Sequence, residues 1–264
     1  MNTADPLDAL RDVVHHAGQT VLAMSRDGFE VARKANQDPV TTADLEADRI
    51  LKEALLTSTP DAGWLSEETR DDPARLTCDR VWVVDPIDGT KEFVTGIAEF
   101  AVSVALVEAS RPVQAAVYNP ATEEMFLAAR GRGATLNGQA IGGDRPTPER
   151  PVLLASRSEI KRGEWKAFET CAEVRPCGSI AYKLALVAAG RADATFSLGP
   201  KNEWDIAAGV LLVEEVGGCA GDKKRRTFPF NQADTLVDGI VAATAAFGGG
   251  VYELIERTIG ETAG

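Results

Sequence analysis

Histidine is almost missing from this chain. Its 264 residues include two, the adjacent pair His15-His16. A His-rich zinc site or a Ser-His-Asp triad would depend on that pair, which reads as two solvated helix residues. Cysteine is scarce as well. Cys78, Cys171, Cys177 and Cys219 show no CxxC or CxH spacing. In a chain this long they form no disulfide framework, and free thiols in a reducing cytoplasm are expected. No apolar run approaches the roughly 20 residues that span a bilayer. The N-terminal stretch MNTADPLDALRDVVHHAG carries acids and lacks the apolar segment of a signal peptide. Positive charge is in deficit, with 28 Lys and Arg against 40 Asp and Glu and a formal net charge of −12. That balance excludes nucleic-acid polymers, whose backbones are tracked by clustered Lys and Arg, and anionic membrane surfaces.

What is present is an ordinary globular interior. Apolar residues make up 44% of the chain, enough to offset chain entropy and exclude disorder. The length fits one large domain or two closely packed ones. Residues 5–25 read as a helix, with Asp5-Pro6 at its start and Leu7, Leu10, Val13-Val14, Ala17, Val21 and Met24 at helical spacing. Thr42 is placed to cap a second helix reaching about Leu56, with Leu45, Ile50, Leu51, Ala54 and Leu55 on its buried face. Strands are expected at 63–66, 81–84, 100–107, 113–118 and 124–129, the later ones forming an antiparallel meander. Gly142-Gly143-Asp144-Arg145-Pro146-Thr147-Pro148 is the most linker-like stretch. It divides an N-terminal α+β domain, residues 1–147, from a C-terminal α/β domain, residues 148–264. The second half alternates: strand 152–155, helix around 161–172, helix 180–189 capped by Ser179 and stopped by Gly190, strand 192–197, helix 205–216, strand 237–243 and a last helix near 250–260.

Three acidic segments stand beside strongly apolar sequence. Ser66-Glu67-Glu68-Thr69 ends a short strand. Asp85-Pro86-Ile87-Asp88-Gly89-Thr90 follows the buried strand 81–84. Glu203-Trp204-Asp205-Ile206-Ala207-Ala208-Gly209 opens an apolar helix. Each alone has an ordinary explanation: a solvated edge, a turn, a helix cap. Together they would bring carboxylates to the rim of a core, where they repel one another unless a cation neutralises them. Pro86 stiffens the bend between Asp85 and Asp88, and the Ile87 carbonyl lies between them. All are hard oxygen donors, suited to Mg²⁺ rather than zinc. Two divalent ions could clamp the attacking and leaving oxygens of a phosphoryl group. No Walker lysine loop or kinase glycine loop is present, and the lone Gly131-Arg132-Gly133 reads as loop glycines.

At these residues the chain resembles the inositol monophosphatase superfamily, most closely its 3′(2′),5′-bisphosphate nucleotidase branch. The signatures stand here as Glu67-Glu68, Asp85 to Thr90, and Trp204 to Gly209. The resemblance covers nearly the whole chain. It implies a layered α/β/α/β/α sandwich of the sugar-phosphatase type. It also implies a first Mg²⁺ held by Glu67, Asp85 and the Ile87 carbonyl, and a second held by Asp85, Asp88 and Asp205. A third, weaker ion near Glu67 and Glu68 occurs in some members. Thr90 and Asp44, in Val40-Thr41-Thr42-Ala43-Asp44, match the pair that orients the nucleophilic water, and Glu68 completes the catalytic set. The backbone of Gly89 and Thr90 would face phosphate, while Lys91, Gly178, Ser179, Lys183, Lys201 and Asp205 fall at substrate positions. Lys183, on an otherwise apolar helix, is equally well read as a snorkelling surface lysine.

The resemblance favours the nucleotidase branch at two places. Lys91-Glu92-Phe93 follows the Gly-Thr pair where inositol-type members carry Thr-Asn-Phe, and Leu198 stands where they tend to carry a sugar-binding Glu. The implied reaction is Mg²⁺-dependent hydrolysis of adenosine 3′,5′-bisphosphate to AMP and phosphate, sensitive to Li⁺. The alternative within the superfamily is an inositol-1-phosphate or sugar-bisphosphate phosphatase. A different class is a non-catalytic metal- or phosphate-binding protein, against which the presence of both Thr90 and Asp44 counts. A third is a structural protein whose acids are only surface charge. The resemblance further implies a homodimer in many members, although no segment of this sequence marks an interface.

Overall fold

A computed structural model of the chain describes residues 6–34, 38–143 and 146–262. The expected Asp5 cap and the Asp144-Arg145 centre of the linker lie outside those residues. The first helix, α1 (Pro6–Asp27), buries Leu10, Val14, Ala17 and Val21 at helical spacing. A small antiparallel pair follows, β1 (Val31–Arg33) and β2 (Pro39–Thr41). The second helix, α2 (Thr42–Ser58), is capped by Thr41 rather than Thr42. Thr41 Oγ1 accepts from the N–H groups of Ala43 and Asp44, and the Asp44 carboxylate accepts in return from the Thr41 N–H. Leu45, expected inside, is 52% exposed. The buried stripe is Ala43, Ala47, Leu51 and Leu55, and a residue two positions along is turned roughly 200° away from it.

The expected meander is present and grows at both edges. In chain order come β3 (Gly63–Ser66), a 3₁₀ turn at Pro73–Thr77, β4 (Arg80–Asp88), the short α3 (Thr90–Val94), β5 (Ala101–Glu108), β6 (Arg111–Asn119), β7 (Glu124–Ala129), β8 (Ala134–Leu136) and β9 (Gln139–Ala140). The seven strands pair in sequence order, β3 parallel to β4 and the rest antiparallel. β4 does not stop at Val84. It runs through the acidic motif to Asp88, and its register against β5 shifts between Asp85 and Asp88.

The second half supplies β10 (Val152–Ala155), α4 (Arg157–Lys161), a 3₁₀ turn at Phe168–Thr170, β11 (Glu173–Pro176), α5 (Ile180–Ala188), β12 (Ala194–Ser197), β13 (Lys201–Asn202), α6 (Glu203–Glu215), β14 (Cys219–Gly221), β15 (Leu236–Val237), β16 (Ile240–Ala243) and α7 (Gly248–Thr262). Five strands form a sheet ordered β11-β10-β12-β16-β14, while β13 pairs with β15. The single helix expected over 161–172 is absent. α4 ends at Lys161 and Gly163 takes φ +80°, a conformation that ends a right-handed helix. Trp165, Phe168 and Ala172 are nonetheless buried. The strand expected over 237–243 is split by Gly239 at φ +76° into β15 and β16.

The layers follow from where the apolar faces go. α1 and α2 cover one face of the seven-stranded sheet through Leu10, Val14, Leu51, Leu55, Trp82 and Val104. α5 and α6 cover its other face and also one face of the five-stranded sheet. α7 and the Trp165–Phe168 segment close the far side, with Trp165 stacked on Phe196 at 4.1 Å between centroids. The result is the α/β/α/β/α sandwich. α6 is apolar on nearly every side because a sheet packs on each side of it. No helix among the described residues is long and apolar enough to cross a membrane, and the four cysteines are free.

Candidate active site

The acidic segments meet where several elements begin or end. β3 and β4 finish side by side, and the Glu67 N–H continues their ladder by donating to the Val84 carbonyl at 3.2 Å. Asp44 is in the first turn of α2, Thr90 opens α3, Ser179 caps α5, and Asp205 is in the first turn of α6. Exposed N–H groups and helix dipoles at such ends favour negative charge.

Each carboxylate is held by local chemistry. Asp85, fully buried, accepts the Ile87 N–H on Oδ1 at 3.1 Å. Asp88 Oδ2 accepts the Ser179 hydroxyl and the Ala181 N–H, both at 2.6 Å. Ser179 sits at φ +55° to do this while its oxygen accepts the Tyr182 N–H at 2.9 Å. Left-handed backbone costs a non-glycine residue about 1–3 kcal/mol and clusters at functional sites. Asp205 Oδ2 accepts the Asn202 N–H at 2.9 Å, so Asn202 is the α6 cap and Asp205 is the reciprocal acid of its capping box. Ser66 and Thr69 both donate to Asp48 of α2, which fixes the turn carrying Glu67 and Glu68.

The electrostatics are those of crowded anions. Burial, followed by the charges of Glu67, Asp88 and Asp205, pushes Asp85 well above the carboxylate range. Burial raises Asp88 to about 6 against the pull of its Ser179 and Ala181 hydrogen bonds. Burial and then the Asp88 charge raise Asp205 to about 8. Glu68 is raised to about 7, mainly by burial. One ammonium relieves part of this: Lys34 Nζ lies 2.7 Å from both Glu67 and Glu68. Burial opposes its charge, and the two glutamates hold it above its usual range.

The donor set fits a hard divalent cation. Asp85, Asp88 and Asp205 each have one oxygen hydrogen-bonded and leave the other without a hydrogen bond among the described residues. None of the three pairs with a basic side chain there. No group of three or more acidic, His or Cys side chains among those residues already converges as a finished cage.

Thr90 and Asp44, the pair expected to orient the water, are in contact. Thr90 Oγ1 is 3.2 Å from Asp44 Oδ1 and 3.0 Å from the Ile87 carbonyl, and its single proton serves one of them at a time. Asp44 Oδ2 is occupied by the Thr41 N–H and hydroxyl, at 2.7 and 2.6 Å. Burial raises its pKa. Gly89, at φ +93°, makes the turn into α3, and a β-carbon there would stand 2.9 Å from the Glu99 carbonyl.

The expected substrate residues divide. Lys91 is exposed and pairs with Asp38 at 2.7 Å. The Gly178 N–H is taken by Glu99 at 2.6 Å, and the Ser179 hydroxyl by Asp88. Lys201 is half-buried on β13. Lys183 is no snorkelling surface lysine: its side chain is fully buried, and Nζ bonds Ser156 Oγ at 2.7 Å. Burial pushes its pKa below the usual lysine range, with Lys201 adding to the shift and Glu159 and Asp88 opposing it. Lys34, Asp48, Glu99, Ser156 and Glu159 were not anticipated. For Asp48 the signal was an acid one turn beyond Asp44 on the same helix face. Lys34 and Glu99 carry none.

The Inositol monophosphatase family model matches residues 4–259. Nus factor SuhB of Escherichia coli K12 is 37% identical over 205 residues, covering 74% of this chain and 76% of that protein. Inositol-1-monophosphatase of Rhizobium meliloti is 34% identical, covering 96% of this chain and 97% of that protein. Among solved structures, an IMPase of Thermotoga maritima superposes with a TM-score of 0.84 at 28% identity, covering 97% of this chain and 98% of that one. The layered fold is thus a phosphatase fold. The chain belongs to the inositol monophosphatase family, whose members generally use Mg²⁺.

Proposed function

We propose that the protein is a Mg²⁺-dependent 3′(2′),5′-bisphosphate nucleotidase, releasing phosphate from adenosine 3′,5′-bisphosphate to leave AMP. The observation that carries this reading is Lys183. Its side chain is fully buried with one hydrogen-bond partner, the Ser156 hydroxyl, while Glu159 and Asp88 support its charge and Lys201 opposes it. A second phosphate on the substrate would gain from these two cationic side chains, and a neutral polyol would not. Leu198 supports the same choice, offering no carboxylate for sugar hydroxyls.

Glu67, Asp85, the Ile87 carbonyl, Asp88 and Asp205 would hold the cations, with Glu68 near a third. When bound, Mg²⁺ supplies charge for the phosphoryl oxygens and lowers the pKa of a coordinated water. The chain does the rest. Thr90 and Asp44 hold the attacking water in line with the scissile bond, and Asp44 Oδ1 takes its proton. The Gly89 and Thr90 N–H groups face the phosphate oxygens, where fixed donors stabilise developing charge. The water oxygen bonds phosphorus, the ester P–O bond breaks, and the departing alkoxide takes a proton from solvent.

A second reading, hydrolysis of inositol 1-phosphate, is favoured by the name of the Rhizobium relative. The deciding experiment measures kcat/KM for adenosine 3′,5′-bisphosphate, inositol 1-phosphate and fructose 1,6-bisphosphate at fixed Mg²⁺. The nucleotide is expected to be turned over fastest. Faster turnover of inositol 1-phosphate overturns the proposal.

A further inference from the structure

Behind the carboxylates lies a second polar cluster with no part in the proposed chemistry. Glu203, the first residue of α6, is fully buried. Its two oxygens accept consecutive backbone N–H groups, Asn231 at 2.6 Å and Gln232 at 2.8 Å. Asn231 holds a left-handed backbone, φ +61°. Its side chain meets Arg75 twice: Oδ1 accepts from Nη1 at 2.6 Å, and Nδ2 donates to the Arg75 carbonyl at 3.2 Å. Arg75, also buried, donates to the Gln232 carbonyl at 2.9 Å and grips Asp71 through Nε and Nη2 at 2.6 and 3.0 Å. Asp71 lies three residues after Glu68, and Arg75 packs so closely under β3 that a β-carbon on Gly63 would stand 2.9 Å from its Cβ.

We propose that Arg75, Asn231 and Glu203 are positioning residues. They form a strut that ties the turn after Glu67-Glu68 to the first turn of α6, and so sets Asp205 at the right separation from the other cation ligands. The inference rests on the metal reading above. Its physical basis is that the two segments arrive from opposite halves of the chain, 128 residues or more apart, and need a rigid link to hold carboxylates that repel each other. An apolar plug would fill the same space at lower cost. Hydrogen bonds fix direction as well as distance, which apolar packing does not. Partners outside the ligand shell typically govern metal affinity by 10–100-fold.

The test is calorimetric titration of the full chain with Mg²⁺, with Mn²⁺ binding followed by electron paramagnetic resonance as a second readout. Glu203→Gln and Arg75→Met are expected to weaken cation binding by roughly 10-fold or more. The Mg²⁺ needed for half-maximal activity should rise in step, and kcat at saturating Mg²⁺ should largely return. Arg75→Lys, which keeps the charge but loses the fork, should fall between. Glu215→Gln, at the far end of α6, serves as the control for stability loss alone and should leave cation affinity unchanged. Wild-type affinity in folded Glu203→Gln, or an equal loss in Glu215→Gln, overturns the strut. If Glu203→Gln does not fold, Asn231→Ala carries the same expectation. A wild-type chain that binds neither cation overturns the metal reading itself, and the strut with it.

Discussion

Gly209 of α6 lies so close to Leu184 of α5 that a β-carbon on it would stand 2.5 Å from both Cβ and Cδ1 of that leucine. Glycine inside a helix normally costs about 0.5–1 kcal/mol relative to alanine. Here the sign reverses. Gly209→Ala is expected to destabilise the protein by about 1–3 kcal/mol, the usual cost of overpacking. It should also lower activity, because α5 carries Ser179 and Lys183 while α6 carries Asp205. Urea unfolding read beside phosphate release checks it. A gain in stability would show that the two helices have room to spare.

Asp88→Asn keeps an oxygen for Ser179 and Ala181, so the fold should survive. The lost charge should lower kcat/KM by more than roughly 100-fold, above what outer partners of a metal cost. Mg²⁺ half-saturation should rise with it. Steady-state kinetics across a Mg²⁺ series measures both, and unchanged activity would remove Asp88 from the ligand set.

The Thr90–Asp44 contact predicts a split between kinetic constants. Thr90→Ala should reduce kcat by roughly 10²–10⁴, the range for a positioned proton acceptor and its water, with KM little changed. Thr90→Ser keeps the hydroxyl and should recover most of the rate. A rise in KM at constant kcat would instead make Thr90 a substrate contact.

The crowded carboxylates make cation stabilisation pH-dependent. Asp88, Glu68 and Asp205 titrate at about 6, 7 and 8 in the folded protein, above their ordinary range near 4. The folded chain therefore holds protons that the unfolded chain has released. The stability these groups contribute is complete below about pH 4 and is lost as pH rises through 6 to 8. A divalent cation replaces those protons. The increase in Tm produced by Mg²⁺ should thus grow between about pH 5.5 and pH 8.5, as scanning calorimetry would show. An increase that is flat over this window would separate these acids from the cation site.

Much of this was legible in the residues, for identifiable reasons. A Thr-x-x-Asp step opening an apolar-periodic run encodes a helix start, although two adjacent threonines left the cap ambiguous by one position. The Val-rich 81–84 run encodes a buried strand. Its continuation to Asp88 was hidden because Pro86 and two acids read as a turn, whereas a register shift against β5 absorbs them. The helix expected over 161–172 fails because Gly163 takes a left-handed backbone, while Trp165, Phe168 and Ala172 still reach the core without it. β11, with charged Glu173 and Arg175, is recognisable only beside β10. Within the site, the motif acids were legible because the chemistry restricts residue type. Lys34 and Glu99 were not, since a lone charged residue on a loop looks the same whether or not it reaches another segment.

Glu215 of α6 accepts the three consecutive N–H groups of Gly131, Arg132 and Gly133, at 2.9, 3.1 and 2.9 Å. With Glu203 at the other end, α6 is moored to the rest of the molecule by an acid at each terminus, and both sheets press on it between. A helix so placed is no one's private property. Chimeras that exchange the stretch after residue 147 between relatives would inherit a foreign α6 against a native sheet, and would have to swap the loops at 131–133 and 71–75 with it. The unit of exchange in such a protein is the set of contacts around its central helices, and the linker is a poor place to cut.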